Sequence, residues 1–317
     1  MITLNEYKAQ VQDKWDTTAI IDELQKSNVL FSLMPFDDTV TPTGSSFPYS
    51  YFRKTTESGA AFRKVGEEYT PSEAKVTKQN AEVKILGGTY KVDRAIAKAS
   101  ENGFINEVEF QTEEKVKGVS ATFNDCLING DSTTNEQEFD GLDKILTGTT
   151  TEFTSAIDLS TAEKVDANYM GFIDEIDGVI SEMNGEPTVI AGNNKMIAKI
   201  KSVARRAGQY QETKDDIGRT ISMYGNAVLV DLGAKPASSD PVVEINGEGK
   251  TDLYFIRIAK DAFHGITLDG KMIDVVTPDR EVEATTGLTG LVEMYGACVL
   301  KSTKGAAVLR GIKVKGV

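Results

Sequence analysis

The chain has 317 residues, enough for a large core and about two domains, and 40% of them are hydrophobic against 26% charged. A formal net charge of −13 excludes a protein that grips nucleic acid by overall basicity, but permits a wall that encloses a polymer and lets it slide. No apolar run is long enough to span a bilayer, and the opening MITLNEYKAQ has neither the basic nor the apolar region of a signal peptide.

In chain order, Thr3 and Glu6 form a capping box ahead of an amphipathic stripe of Leu4, Tyr7, Val11 and Trp15, continued by Ile20, Ile21 and Leu24. This segment is expected to dock on its own domain or on a neighbour. From Val40 the composition shifts to Thr, Ser, Gly and aromatics. Runs near 47–53 and 73–86 flank a Gly- and charge-rich middle, which predicts a long hairpin with little core of its own. Arg53, Lys54, Arg63, Lys64, Lys75 and Lys78 make this stretch more basic than the rest of an acidic chain. They are either solubility devices or contacts for a neighbouring surface.

A core strand follows over 83–92, with a bend or bulge expected at Gly87-Gly88. Ile105, Val108, Thr112, Val116, Val119, Phe123, Cys126 and Leu127 then predict a long helix that stops at Asn129-Gly130. Glu107, Glu109, Glu113 and Glu114 crowd its N-terminal half, where carboxylates complement the helix dipole. The polar tract NGDSTTNEQEFDG reads as a change of chain direction, with Gly130 and Gly141 supplying backbone freedom. Helices marked by Phe172 to Met183 and by Met196 to Val203 alternate with strands at 188–190, 228–230 and 254–256, as in a mixed α/β domain. Two strands joined by a turn at 302–305 close the chain.

The inventory for chemistry is thin. One histidine, His264, and two distant cysteines give no zinc spacing, and no phosphate-binding glycine loop is present, so neither a metal nor a cofactor is expected. Cys126 and Cys298 sit in apolar contexts and read as buried thiols of a reducing compartment. Acidic pairs such as Glu67-Glu68 read as solvated surface.

The helix running into LINGDSTTNEQEFDGL resembles the passage from spine helix to axial domain in the major capsid proteins of tailed bacteriophages with the Hong Kong 97-type fold. PTVIAGNNKMIAKIK with YGNAVLVDLG resembles the axial strand-helix-strand, and VEMYGACVLKSTKGAAVLRGIKV the strands that return to the peripheral domain. Ser132 stands where that family often has Gly, and the insert before Gly141 is longer.

The resemblance implies an α+β fold divided into an N-terminal arm (1–46), an extended hairpin loop (47–86), a peripheral domain with the spine helix (87–130 and 290–317) and an axial α/β domain (131–289). It implies a structural, non-enzymatic protein of the virion. Hexamers and pentamers of it would form an icosahedral shell around double-stranded DNA, without sequence-specific binding and without a membrane. It would pass through the host cytoplasm during assembly, with a portal and a separate scaffolding protein. The basic hairpin would lie on the acidic helix of an adjacent subunit. An encapsulin-like nanocompartment shares the fold and is the alternative. No residue match supports isopeptide crosslinking.

A remote third reading is a GDS-type serine esterase, in which Ser132 of Gly130-Asp131-Ser132 would be the nucleophile and Asp261 and His264 of DAFH its partners. The serine sits at the end of a long helix rather than after a first strand, Thr133 replaces the usual Leu, and no oxyanion blocks are evident.

Overall fold

A computed structural model describes residues 29–40, 47–100, 106–208, 211–214, 220–268, 273–278 and 286–316. The amphipathic stripe from Leu4 to Leu24 and Ile105 lie outside the described residues.

Helix α1 (Val29–Leu33) and strand β1 (Phe36–Asp37) lead into the hairpin strands β2 (Pro48–Thr56) and β3 (Lys75–Glu82). Strand β4 (Lys84–Asp93) follows, then α2 (Arg94–Ser100) and the long α3 (Glu107–Asn129). The second half contains α4 (Leu142–Leu146), β5 (Glu152–Thr154), α5 (Ala162–Glu182), β6 (Val189–Gly192) and α6 (Asn194–Ala207). It continues through β7 (Gln211–Lys214), β8 (Thr220–Tyr224), β9 (Ala227–Asp231), β10 (Lys250–Ile256), β11 (Phe263–Thr267) and β12 (Asp274–Val276). Strands β13 (Gly287–Leu300) and β14 (Ala306–Lys313) close it.

Two larger sheets share one core. The fourteen-residue β13 is the axis of a five-stranded sheet, with β4 along one edge and β11 then β12 along the other; β1 pairs parallel to β11. The second sheet has the order β5-β14-β10-β6-β9-β8-β7. Helix α3 lies between them. Its Val119, Phe123 and Leu127 are buried among Leu30, Val292, Met294, Val230 and Tyr254, residues drawn from both halves of the chain. Each such fully buried side chain contributes about 1.5–3 kcal/mol. Asn124 and Asn129 of α3 donate to the Leu232 and Val242 carbonyls at 2.8 Å each, so the helix is also hydrogen-bonded to the second half.

The opposite face of the seven-stranded sheet is covered by α5 and α6. Thr161 and Asn193 cap these helices by accepting from the Lys164 and Met196 amides, and Gly208 ends α6 in the left-handed region at φ 70°. Phe172, Ile176, Val179, Met196, Ile200 and Val203 meet at the helical spacing read from the sequence.

Several expectations need correction. Residues 29–40, assigned to the arm, belong to the subunit's own core: Leu30 and Met34 are buried and β1 joins the sheet. The closing strands are not one hairpin. After the turn at Thr303–Gly305, β14 enters the seven-stranded sheet, while β11, β12 and the start of β13 complete the five-stranded one. The boundaries at 131–289 and 290–317 therefore do not follow the sheets, because AAVLRGI is apolar enough to sit in either. Strand β4 pairs continuously with β13 through Gly87 and Gly88, without a bulge.

Candidate assembly surface

The hairpin strands form their own two-stranded sheet, about 30 Å long at 3.3 Å per residue. Alternation gives it two unlike faces. Tyr49, Tyr51 and Arg53 point at the body, whereas Ser50, Phe52 and Lys54 with Val76, Lys78 and Asn80 opposite them point away. Two large apolar side chains sit on the outward face among polar ones, where solvent should disfavour them: Phe52 is 73% and Val76 62% exposed. The irregular tip adds Phe62, Val65 and Tyr69, so among the described residues five of the ten exposed large hydrophobics lie on this one hairpin.

At its root the hairpin is fastened to its own subunit. Arg53 donates through Nε to the Lys301 carbonyl at 2.9 Å and through Nη2 to the Leu300 carbonyl at 2.8 Å. Tyr49 donates to Asp37 at 3.0 Å, and Lys84 to the Glu136 carbonyl at 2.9 Å. Asp37 is pulled down to about 2, chiefly by its hydrogen bond from the Thr39 hydroxyl. A crevice of about 460 Å³ runs between this root, the tract that contains Ser132 and Asp140, and the end of β13.

The charged residues named from the sequence divide into two groups. Arg53 is bound to its own chain, and Glu107 is fully buried at the start of α3, where its Oε1 accepts from Gln111 at 2.9 Å; neither side chain is available to a neighbour. Arg63 folds within the tip, stacking on Tyr69 and donating to the Glu67 carbonyl, and Lys54 pairs with Glu57 at 2.8 Å. Lys64, Lys75, Lys78, Glu109 and Glu113 are exposed, as is Glu114, which pairs with Lys117 at 2.9 Å. Sequence reasoning missed the apolar outward residues. Phe52 and Val76 alternate with polar neighbours, a pattern that equally describes a strand buried on one face.

The Gly-Asp-Ser tract is built around Lys144. Its ammonium pairs with Asp131 at 2.6 Å and Asp140 at 2.8 Å, and donates to the Ser132 and Thr133 hydroxyls at 3.1 and 2.6 Å. These bonds, Lys144 first and Thr134 next, hold the Asp131 carboxyl well below the usual carboxylate range. Ser132 is thus a structural acceptor. Asp261 pairs with Arg257 at 2.6 Å, and His264 is buried without a hydrogen-bond partner. The three residues of the esterase reading are not joined by hydrogen bonds. Burial pushes the Cys126 thiol up to about 12, far from a reactive thiolate. Among the described residues no cluster fit for a metal ion occurs, and no helix is long and apolar enough to cross a membrane.

No protein-family model matches the chain, and no curated protein matches it in sequence. Solved structures do match in shape. The holo-SrpI encapsulin complex of Synechococcus elongatus PCC 7942 aligns at TM-score 0.62 and 13% identity, over 99% of this chain and 97% of that one. A structure from Mycobacterium phage Bobi aligns at TM-score 0.62 and 11% identity over 98% of both chains. The capsid of Myoviridae phage XM1 aligns at 0.59 and 12%, over 98% and 99%. The chain has the Hong Kong 97-type α+β fold.

Proposed function

We propose that this chain, with its Hong Kong 97-type fold, is the structural subunit of a phage head, a non-enzymatic protein that assembles into a closed icosahedral shell around double-stranded DNA. The observation that carries the proposal is the two-faced hairpin. Apolar side chains that a lone subunit leaves in water are held out on a fastened arm, and covering them requires another surface. A second copy supplies that surface in every subunit of a closed assembly. Lys64, Lys75 and Lys78 assist by facing Glu109, Glu113 and Glu114 of the adjacent α3. Such exposed pairs are worth about 0–1 kcal/mol each, so the apolar residues dominate and the charges set register. Residues 47–86 would be the extended loop, the five-stranded sheet with α3 the peripheral unit and the seven-stranded sheet the axial unit.

Capsomers of five and six copies, a portal, a separate scaffolding protein and passage through the host cytoplasm belong to the same proposal. The net charge of −13 suits a wall that DNA slides along. An encapsulin matches the fold as well as the phage structures do, so the contents of the shell distinguish the two. The test is to purify particles from cells that express the chain with its neighbouring genes. Nuclease-protected DNA supports the phage head; a packaged enzyme in place of DNA supports the encapsulin.

A further inference from the structure

His264 is fully buried on β11, opposite Val299, and neither of its ring nitrogens has a hydrogen-bond partner. The Ala262 carbonyl, which accepts from the Lys301 amide, is close enough to favour a proton on the ring, but this is outweighed by burial and by Lys301. An imidazole placed this way is costly even when neutral, and costlier still when charged, because water is excluded from it. What covers it is the root of the hairpin. The Tyr49 ring meets His264 edge-on at 5.9 Å, and Lys301 Nζ lies 5.3 Å from the centre of the same tyrosine ring.

The charged groups facing the imidazole come from each element around it. Lys301, beyond the end of β13, and Lys260, in the turn before β11, repel a cation there; Asp37 on β1 attracts one. Asp37 accepts from the Tyr49 hydroxyl and from Thr39, and its attraction is outweighed by burial and by Lys301. Burial first, and Lys301 next, hold His264 down at about 4.

We infer that His264 is an acid-operated latch on the hairpin, which lets Tyr49 and β2 lie against the five-stranded sheet while it is neutral and drives them off when it is protonated. Lifting Tyr49 opens the imidazole to water and frees the Asp37 oxygen that the tyrosine hydroxyl occupies, so one movement supplies solvent and an open carboxylate oxygen. The sign follows from linkage. The docked form binds the proton only near pH 4 and the lifted form near the ordinary value of 6.5, so docking holds above 6.5 and weakens about tenfold per pH unit between 6.5 and 4. The latch belongs to the single subunit and stands apart from the shell proposal.

Hydroxyl-radical footprinting of the full chain from pH 7.5 to 4.5 tests this. Tyr49 reports the lift, and Tyr90, buried elsewhere on the same sheet, reports general opening. The expected result is Tyr49 labelling that rises about tenfold per pH unit below 6.5 while Tyr90 stays protected. His264→Phe keeps the ring packing and should flatten the profile; Lys301→Met removes a repelling cation from the docked form and should leave the onset near 6.5 but make the rise level off at higher pH, with less total labelling at pH 4.5. Should the phenylalanine variant fail to fold, the smaller total rise in Lys301→Met decides. The inference is overturned by a flat wild-type profile, by Tyr90 opening together with Tyr49, or by a total rise in Tyr49 labelling that Lys301→Met leaves undiminished.

Discussion

Gly130 and Gly141 lie against one another: the Gly141 amide donates to the Gly130 carbonyl at 2.8 Å and closes the polar tract into a loop at the end of α3. A Cβ on Gly130 would collide with the Phe139 and Cys126 carbonyl oxygens, and one on Gly141 with those of Ile128 and Cys126. Neither glycine has positive φ, at −57° and −81°. The sequence assigned them backbone freedom; their role is close approach of two backbones, a steric requirement that any side chain breaks.

Gly130→Ala and Gly141→Ala are therefore each expected to cost about 1–3 kcal/mol, the usual penalty for forcing extra atoms into a packed site. Gly118, in the middle of α3 with open space at its Cβ position, is the control. Gly118→Ala should stabilise by up to about 1 kcal/mol. Thermal melts of the three variants check both signs.

Lys144→Met should lower the melting temperature at pH 7. The Asp131 carboxyl is held below its unfolded value, so the stability it contributes is present above the ordinary carboxylate range and fades as pH falls through the folded value. Melts at pH 7 and in strong acid should show the difference between variant and wild type narrowing in acid. Ser132→Ala should change ester hydrolysis not at all, since the Ser132 hydroxyl is bonded to Lys144 and not to His264.

Replacing Arg53 with Met removes two charge-assisted hydrogen bonds to the Leu300 and Lys301 carbonyls and leaves the aliphatic stem. The expected loss is about 1–3 kcal/mol. Cleavage between residues 57 and 74 by a protease should also become faster, because the root no longer fixes the arm.

Phe52→Ser with Val76→Ser should leave the melting of isolated subunits within about 0.5 kcal/mol of wild type, as for other exposed positions, and abolish assembly. Lys75→Glu with Lys78→Glu should weaken assembly at low salt only, because screening removes an exposed charge effect. Light scattering during assembly across a salt series separates the two. A larger loss in the charge-reversed variant than in the serine variant would place electrostatics, not burial, in the lead.

Much of the fold was legible because periodicity survives wherever one face is buried. The stripe from Val119 to Leu127 and that from Phe172 to Val179 lie on helices with those residues inside. Strand β14 kept its sheet hidden, since Ala306 to Leu309 are all buried and carry no signal of which neighbour they join. At the assembly surface, the hairpin was legible and its fastening was not. The acceptors of Arg53 are main-chain carbonyls 247 and 248 residues away, which no local pattern announces. Glu107 looked like a dipole-complementing surface carboxylate until the structure placed it in the interior.

The central claim, that the outward face of the hairpin is covered by another copy of the chain, is tested most directly by electron cryomicroscopy of assembled particles. The account predicts closed shells in which Phe52, Val76 and the tip residues Phe62, Val65 and Tyr69 are buried against an adjacent subunit. Particles in which these side chains remain in solvent, or a chain that stays monomeric across the salt series when expressed alone and with its neighbouring genes, would contradict it.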